Sequence, residues 1–306
     1  YSFACLFISR LGTRRTMAHQ TSSASATIRT AARQWQSTPA VDGHAGVHWA
    51  CALAPVLVPA PDPIPDSLVG HLNLLKPASG IEIETSGADR INLLGVQVAA
   101  DAPLPAPLVD SWVRSTDAFA IYEPSDSRRL RTTTQWRLLD PPSDGQSAAG
   151  EIVTMELVVS TQTSRVTSDG ATAGICRLPA PGLRAGWFLD GELHWSDAEA
   201  VGSLQTAWAN LPPTSICCLL CPASVAGGSL GILVRRDEAR HLFLATDPAQ
   251  DGDQITRLTT WFFPTQIEKG VLHRGRIRAI LGRPDTNQHW IAAAAAVFAA
   301  EPPLLQ

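Results

Sequence analysis

The chain has 306 residues, 45% hydrophobic and 17% charged, with 24 basic residues against 28 acidic ones and a net charge of -4. That apolar share builds a sizeable core and excludes global disorder, while the acidic balance argues against nucleic acid as a partner. Every apolar run is broken by Pro, Gly or charge before the roughly 20 residues that a membrane span needs, so no membrane is expected either.

Residues 1–41 hold five Arg and no Asp or Glu. Their apolar stretch at 3–8 is short for a secretory core, and no positive segment precedes it. The first Met is Met17. Residues 1–16 then read as sequence upstream of a native start, or the whole segment as an organellar transit peptide. On both readings, 1–41 is a disordered or non-native segment and 42–306 is a single domain.

From about residue 46 the text becomes short β-like runs. Strands are predicted over 47–58, 80–84, 91–99, 118–123, 130–138, 151–161, 174–178, 186–195, 216–220, 229–235, 241–246, 255–263 and 270–281. They show period-two alternation or β-branched and aromatic enrichment. Turn signals stand between them at Ser168-Asp169-Gly170, Asp190-Gly191, Gly227-Gly228 and Asp251-Gly252. So many strands with so few helices indicate antiparallel sheets, not βαβ units. The expected fold is all-β with minor helix: one large antiparallel β-sandwich with two peripheral helices.

The first helix follows the capping box Ser196-Asp197-Ala198-Glu199, with Val201, Leu204, Trp208 and Leu211 on one face and Pro212-Pro213 as the stop. The second opens near Asp285 or Thr286 and runs to about Ala300. Its Trp290, Ala294, Val297 and Phe298 would dock on a sheet. The Pro-rich stretches at 55–65 and 103–107 read as covering loops or edge segments.

Several patterns bear on chemistry. Asp190-Gly191 between apolar flanks predicts a tight hairpin in which Phe188 faces Leu193 and Trp187 faces His194. Glu192 and His194 then share a face, where a carboxylate and an imidazole could divide acid–base work, with Trp187 as a stacking surface for a sugar. A plain hairpin with polar residues outward is the alternative. Cys218 and Cys221 have C-x-x-C spacing, but the apolar run at 216–220 reads as a buried strand, where Cys acts as a small hydrophobe. Joining them to His44, His48 and Cys51 as a zinc set lacks a second C-x-x-C, and no metal or cofactor is expected. Asp247, Asp251 and Asp253 lack the late Glu of a calcium loop. The cysteines are too few for a disulfide scaffold, which suggests a reduced, cytoplasmic protein. Nucleotide, dinucleotide, α/β-hydrolase and zincin motifs are all absent.

The last strand carries the clearest constellation. Arg274, Arg276 and Arg278 fall two residues apart on one face, forming a row of guanidiniums about 7 Å apart suited to carboxylates, phosphates or sugar hydroxyls. The alternatives are a solvated face with acidic cross-strand neighbours or a buried ionic network.

Trp261-Phe262-Phe263-Pro264, followed by Ile267-Glu268-Lys269-Gly270-Val271-Leu272 and the Arg-rich strand, resembles the closing segment of uncharacterised planctomycete-type all-β proteins. That segment is similar to the galactose-mutarotase-like β-sandwich. The resemblance covers about the last fifth of the chain and implies a two-layer sandwich with a sugar-sized groove. Mutarotases use a Glu base and a His acid, and neither maps onto a particular residue here, so whether the chain is an enzyme stays open. The sequence leaves two functions: binding or modifying a carbohydrate in a groove of the sandwich, or non-catalytic protein interaction.

Overall fold

The computed structural model describes residues 35–37, 48–53, 68–84, 90–98, 106–139, 151–169, 172–179, 182–196, 204–225, 228–247, 255–263, 266–282 and 289–304. Two large antiparallel sheets account for most of them, as the strand-rich text predicts. The first sheet runs, in spatial order, β1 (Trp35–Ser37), β2 (His48–Leu53), β3 (Leu68–Asn73), β4 (Ile81–Glu84), β5 (Arg90–Val98), β11 (Thr172–Pro179), β17 (Ile255–Trp261) and β16 (His241–Asp247). The second runs β13 (Glu192–Trp195), β12 (Arg184–Leu189), β14 (Ile216–Val225), β15 (Gly228–Arg235), β19 (His273–Gly282), β9 (Glu151–Thr163), β8 (Leu130–Leu139), β7 (Asp117–Tyr122) and β6 (Leu108–Arg114). A short ribbon pairs β10 (Thr167–Asp169) with β18 (Gln266–Glu268).

The sheets face each other across one apolar layer. In β8, Leu130, Thr132, Thr134, Trp136 and Leu138 are buried while the residues between them are exposed or half-buried, which is the pleat read out directly. Trp136 belongs to one buried core that takes Leu157, Val234 and Ile277 from its own sheet and Ile81, Leu93 and Leu258 from the other. Its indole donates to the Leu94 carbonyl at 2.8 Å, and the Tyr122 hydroxyl donates to the Leu74 carbonyl at 3.0 Å. These two buried polar tips find their partners across the layer.

The second sheet is covered on its other face by α2 (His289–Ala300). Trp290, Ile291, Ala294, Ala295 and Phe298 pack there against Phe188, Ile216, Cys218, Leu220, Leu233 and Ile280. With cover on both faces, β15 is buried at every residue, and Leu230–Val234 reads as an apolar run between Ser229 and Arg235. Val297 is a correction: it is 44% exposed, and Ile291 and Ala295 dock in its place. The other helix, α1 (Leu204–Asn210), buries Trp208. Asp197 to Glu199 of the capping box lie outside the described residues.

The hairpin of β12 and β13 forms in the predicted register, with Trp187 opposite His194 and Phe188 opposite Leu193. Asp190 and Gly191 take φ of 52° and 88°, the left-handed pair that a two-residue turn demands. Cys218 and Cys221 lie in a strand, not at a helix start, and face opposite apolar layers. Burial pushes the Cys221 thiol up to about 12 and the Cys218 thiol well above the usual range. Neither is a ready thiolate at neutral pH.

Trp35 belongs to the segment whose composition set it apart, yet it forms part of β1 and is 4% exposed. Burying an indole outweighs an acid-poor surrounding. Strands β1, β3, β6, β10 and β18 fall outside the strand ranges expected from the sequence. β10 and β18 are three residues each, and β6 is an edge strand whose mixed exposure leaves no alternation to read. Among the described residues, no helix is long and apolar enough to cross a membrane.

Candidate functional site

The Arg row on β19 divides between two environments. Arg276 and Arg278 are 4% and 6% exposed, enclosed beneath the end of α2. Both Arg276 and Arg278 stack on the Phe298 ring, at 4.7 and 4.4 Å from its centroid. Arg276 Nε donates to both Glu238 carboxylate oxygens at 3.0 Å, and its terminal nitrogens reach Glu301 Oε2 at 2.8 Å and the Pro302 carbonyl at 3.0 Å. Arg278 holds Glu156 Oε2 at 2.6 Å and both Glu301 oxygens at 2.7 and 2.8 Å.

Sheet register extends this network sideways. Arg278 stands opposite Glu156, Glu156 opposite Arg137, Arg137 opposite Asp117, and Asp117 opposite Arg114. Charge alternates strand by strand, the favourable cross-strand arrangement. At the other end, Arg235 pairs with Asp237 through two 3.0 Å bonds and donates to the Phe298 and Glu301 carbonyls at 3.2 and 2.8 Å. Those carbonyls belong to the C-terminal end of α2, which lacks its own donors. Leu304 N closes the clasp on Glu238 Oε1 at 3.1 Å.

Arg274 is different. It lies one step further along β19, beyond the reach of Glu301, and lines a pocket of about 360 Å³ at the end of the sandwich. Three segments from different parts of the chain supply the walls. The β15–β16 turn gives Arg236, Asp237 and Arg240, the exit of β17 gives Phe262 and Phe263, and the start of β19 gives His273 and Arg274. Gly275 permits this convergence: a Cβ there would lie 2.5 Å from Phe262 Cδ1 and 2.8 Å from the Glu238 carbonyl oxygen. Only a residue without a side chain lets the turn and the ring approach so closely.

The pocket is electropositive. Asp237 is already held by Arg235, and Arg236 spends Nε on the Trp208 carbonyl at 2.8 Å while stacking on the Trp208 ring at 5.5 Å. Burial lowers the His241 pKa, and the Arg240 and Arg236 charges lower it further. Burial also lowers that of His273, against an opposing pull from Glu268. His273 is therefore neutral at pH 7, with one ring nitrogen to donate and one to accept. The Arg274 Nε–H is enclosed and has no hydrogen-bond partner among the described residues. A buried donor left this way costs about 1–3 kcal/mol until something accepts from it.

Glu192 and His194 are exposed on β13, four places across the sheet from β19, or roughly 19 Å at normal strand spacing. The structure does not bring them together with the arginines. Trp187 is half-buried and packs on Trp208 at 6.0 Å, so it reaches the pocket only indirectly, through the indole under Arg236. Strand alternation alone puts His273 on the opposite face of β19 from the Arg row, and no local pattern marks Arg236 or Arg240. Their turn joins the two sheets, and only the strand order carries it to β19. Among the described residues, no group of three or more His, Cys, Asp or Glu is placed to hold a metal ion.

The sequence matches no protein-family model and no curated protein. Among solved structures, the chain is similar to a "putative mutarotase (YeaD)" from Salmonella typhimurium, with a TM-score of 0.41 and 9% identity, over 82% of this chain and 94% of that one. The planctomycete relationship expected from the closing segment finds no support in these comparisons.

Proposed function

We propose that this chain binds an acidic sugar, placing the sugar's carboxylate against Arg274 in the pocket shared with Arg236, Arg240 and His273. The observation that carries this reading is the enclosed, unpartnered Nε–H of Arg274 beside two further guanidiniums. A guanidinium fork matches a carboxylate in shape and charge, and such charge-assisted bonds are about twice as strong as neutral ones. Neutral His273 supplies a donor and an acceptor suited to ring hydroxyls, and Phe263 adds an apolar wall. The reading assigns binding and no reaction. Any acid–base step by Glu192 and His194 would take place on the separate hairpin surface.

Galacturonate is expected to raise the melting temperature, and galactose to raise it much less. Arg274→Ala removes a charged hydrogen bond of about 1.5–3 kcal/mol, so galacturonate should bind it roughly 10- to 100-fold more weakly. An equal response to galactose, or an undiminished response in the variant, counts against the reading.

One feature favours protein interaction instead. The β6 edge exposes Val109, Trp112 and Val113 at 53%, 40% and 36%, with Trp112 stacked on Phe119 at 4.9 Å. Edge strands with apolar side chains are templates for pairing with another chain. On that reading the occupant is a second copy. Sedimentation should then detect dimers that Trp112→Lys returns to monomers, whereas a monomer at all concentrations removes this alternative.

A further inference from the structure

A second and larger cavity, of about 660 Å³, lies beside the first and takes its walls from Arg129, Arg131, Gln162, Ser164 and Lys269, with the carboxylates of Glu123 and Asp126 at its side. The two cavities are neighbours by construction. Arg131 pairs across the sheet with Gln162, and two residues further along, Thr133 pairs with Ser160 and Ser160 with Arg274. Residues two apart share a face, so Arg131, Gln162 and Arg274 stand in adjacent rows about 7 Å apart on one side of one sheet. The turn before β19 also serves both, giving Lys269 and Gly270 to the larger cavity and His273 and Arg274 to the smaller. Three residues of chain reach at most about 11 Å.

The larger cavity has a built edge. Arg129 is held at φ 49°, a region that residues with side chains seldom enter. The preceding carbonyl, that of Arg128, accepts from both the Thr163 and Ser168 hydroxyls at 2.9 Å. A sparsely populated conformation persists where the surroundings fix it in this way. Arg131 is matched by Glu123 at 3.0 Å. The side chains of Arg129 and Lys269 meet no acidic partner among the described residues, so two cations line the cavity unneutralised.

We propose that the ligand is a chain of acidic sugars, not a single one, and that it runs from the Arg274 pocket across the 269–272 turn into the cavity of Arg129 and Lys269. This rests on the acidic-sugar reading above. Repeated carboxylates would meet cations in both cavities, while Gln162, Ser164 and the two carboxylates suit the hydroxyls between them. Single-stranded nucleic acid fits less well. Base binding needs aromatic faces, and the lining of the larger cavity has none.

The test is calorimetric titration of the whole chain with galacturonate, with its trimer and with its hexamer. Two contacts on one ligand multiply affinity, so the hexamer is expected to bind at least about tenfold more tightly than the monomer. The exposed pair Lys269→Ala and Arg129→Gln should erase that gain while leaving monomer affinity within about twofold. Equal affinity for monomer and hexamer overturns the extended site and leaves single-sugar binding intact. A gain that survives both substitutions overturns the assigned path. Binding of a single-stranded DNA 12-mer as tight as that of the hexamer makes the surface a general polyanion site, which also overturns it. If no uronate binds at any length, the acidic-sugar reading itself fails, and this inference with it.

Discussion

Arg276→Ala is expected to lower stability by about 3–5 kcal/mol, because it leaves the fully buried Glu238 carboxylate without the guanidinium that holds both its oxygens. At roughly 2–4 °C per kcal/mol, thermal unfolding should move down by about 6–20 °C. The charge state gives this loss a pH signature. Burial raises the Glu238 pKa above 4.5 even with Arg276 attracting the charged form. A carboxyl whose folded pKa lies above its unfolded value contributes stability that is present below the unfolded value and lost as pH rises through the folded one. Removing Arg276 raises the folded pKa further, so the deficit should narrow as pH falls toward 4.5. Replacing the pair together, as Arg276→Met with Glu238→Leu, should recover much of the loss, since apolar replacement of a buried ion pair is often neutral. The control is Arg257→Ala. Its pair with Asp247 is 41% and 32% exposed at 3.3 Å, which bounds the cost at about 1 kcal/mol. Equal melting temperatures for the Arg276 and Arg257 variants would show that the network does not hold the end of α2.

Phe298→Ala should be as damaging, by about 3–5 kcal/mol in urea unfolding. The ring is fully buried between the second sheet and α2, and both inner arginines of β19 lie against it. Its loss opens a cavity and removes two cation–π contacts at once. Val297→Ala, one position earlier and 44% exposed, should change stability by less than about 0.5 kcal/mol. A similar cost at both positions would mean that α2 docks by another face.

The residues that were legible in sequence had local causes. Asp190-Gly191 fixed a turn, and the turn fixed the pairing of Trp187 with His194. The Arg row was legible as a face because strand period is two. Its cover was not, because nothing local tells which sheet a helix of mostly Ala will choose, and Glu301 arrives from beyond that helix. The pocket was still less accessible. Arg236 and Arg240 are separated from His273 and Arg274 by β16, β17 and β18, and the fold makes the two pairs neighbours. The same holds for charge. Lys269 lies far along the chain from Arg129 and Arg131, yet all three line one cavity beside Arg274. The short basic run Arg128-Arg129-Leu130-Arg131 gives no hint that Lys269 and Arg274 stand beside it.

The central claim, an acidic sugar held by Arg274, is tested most directly by a crystal of the protein soaked in galacturonate. The account predicts a carboxylate within hydrogen-bond distance of Arg274 Nε, with ring hydroxyls toward His273. A sugar found instead at Trp187, Glu192 and His194, or a pocket that holds only solvent at saturating galacturonate, would contradict it.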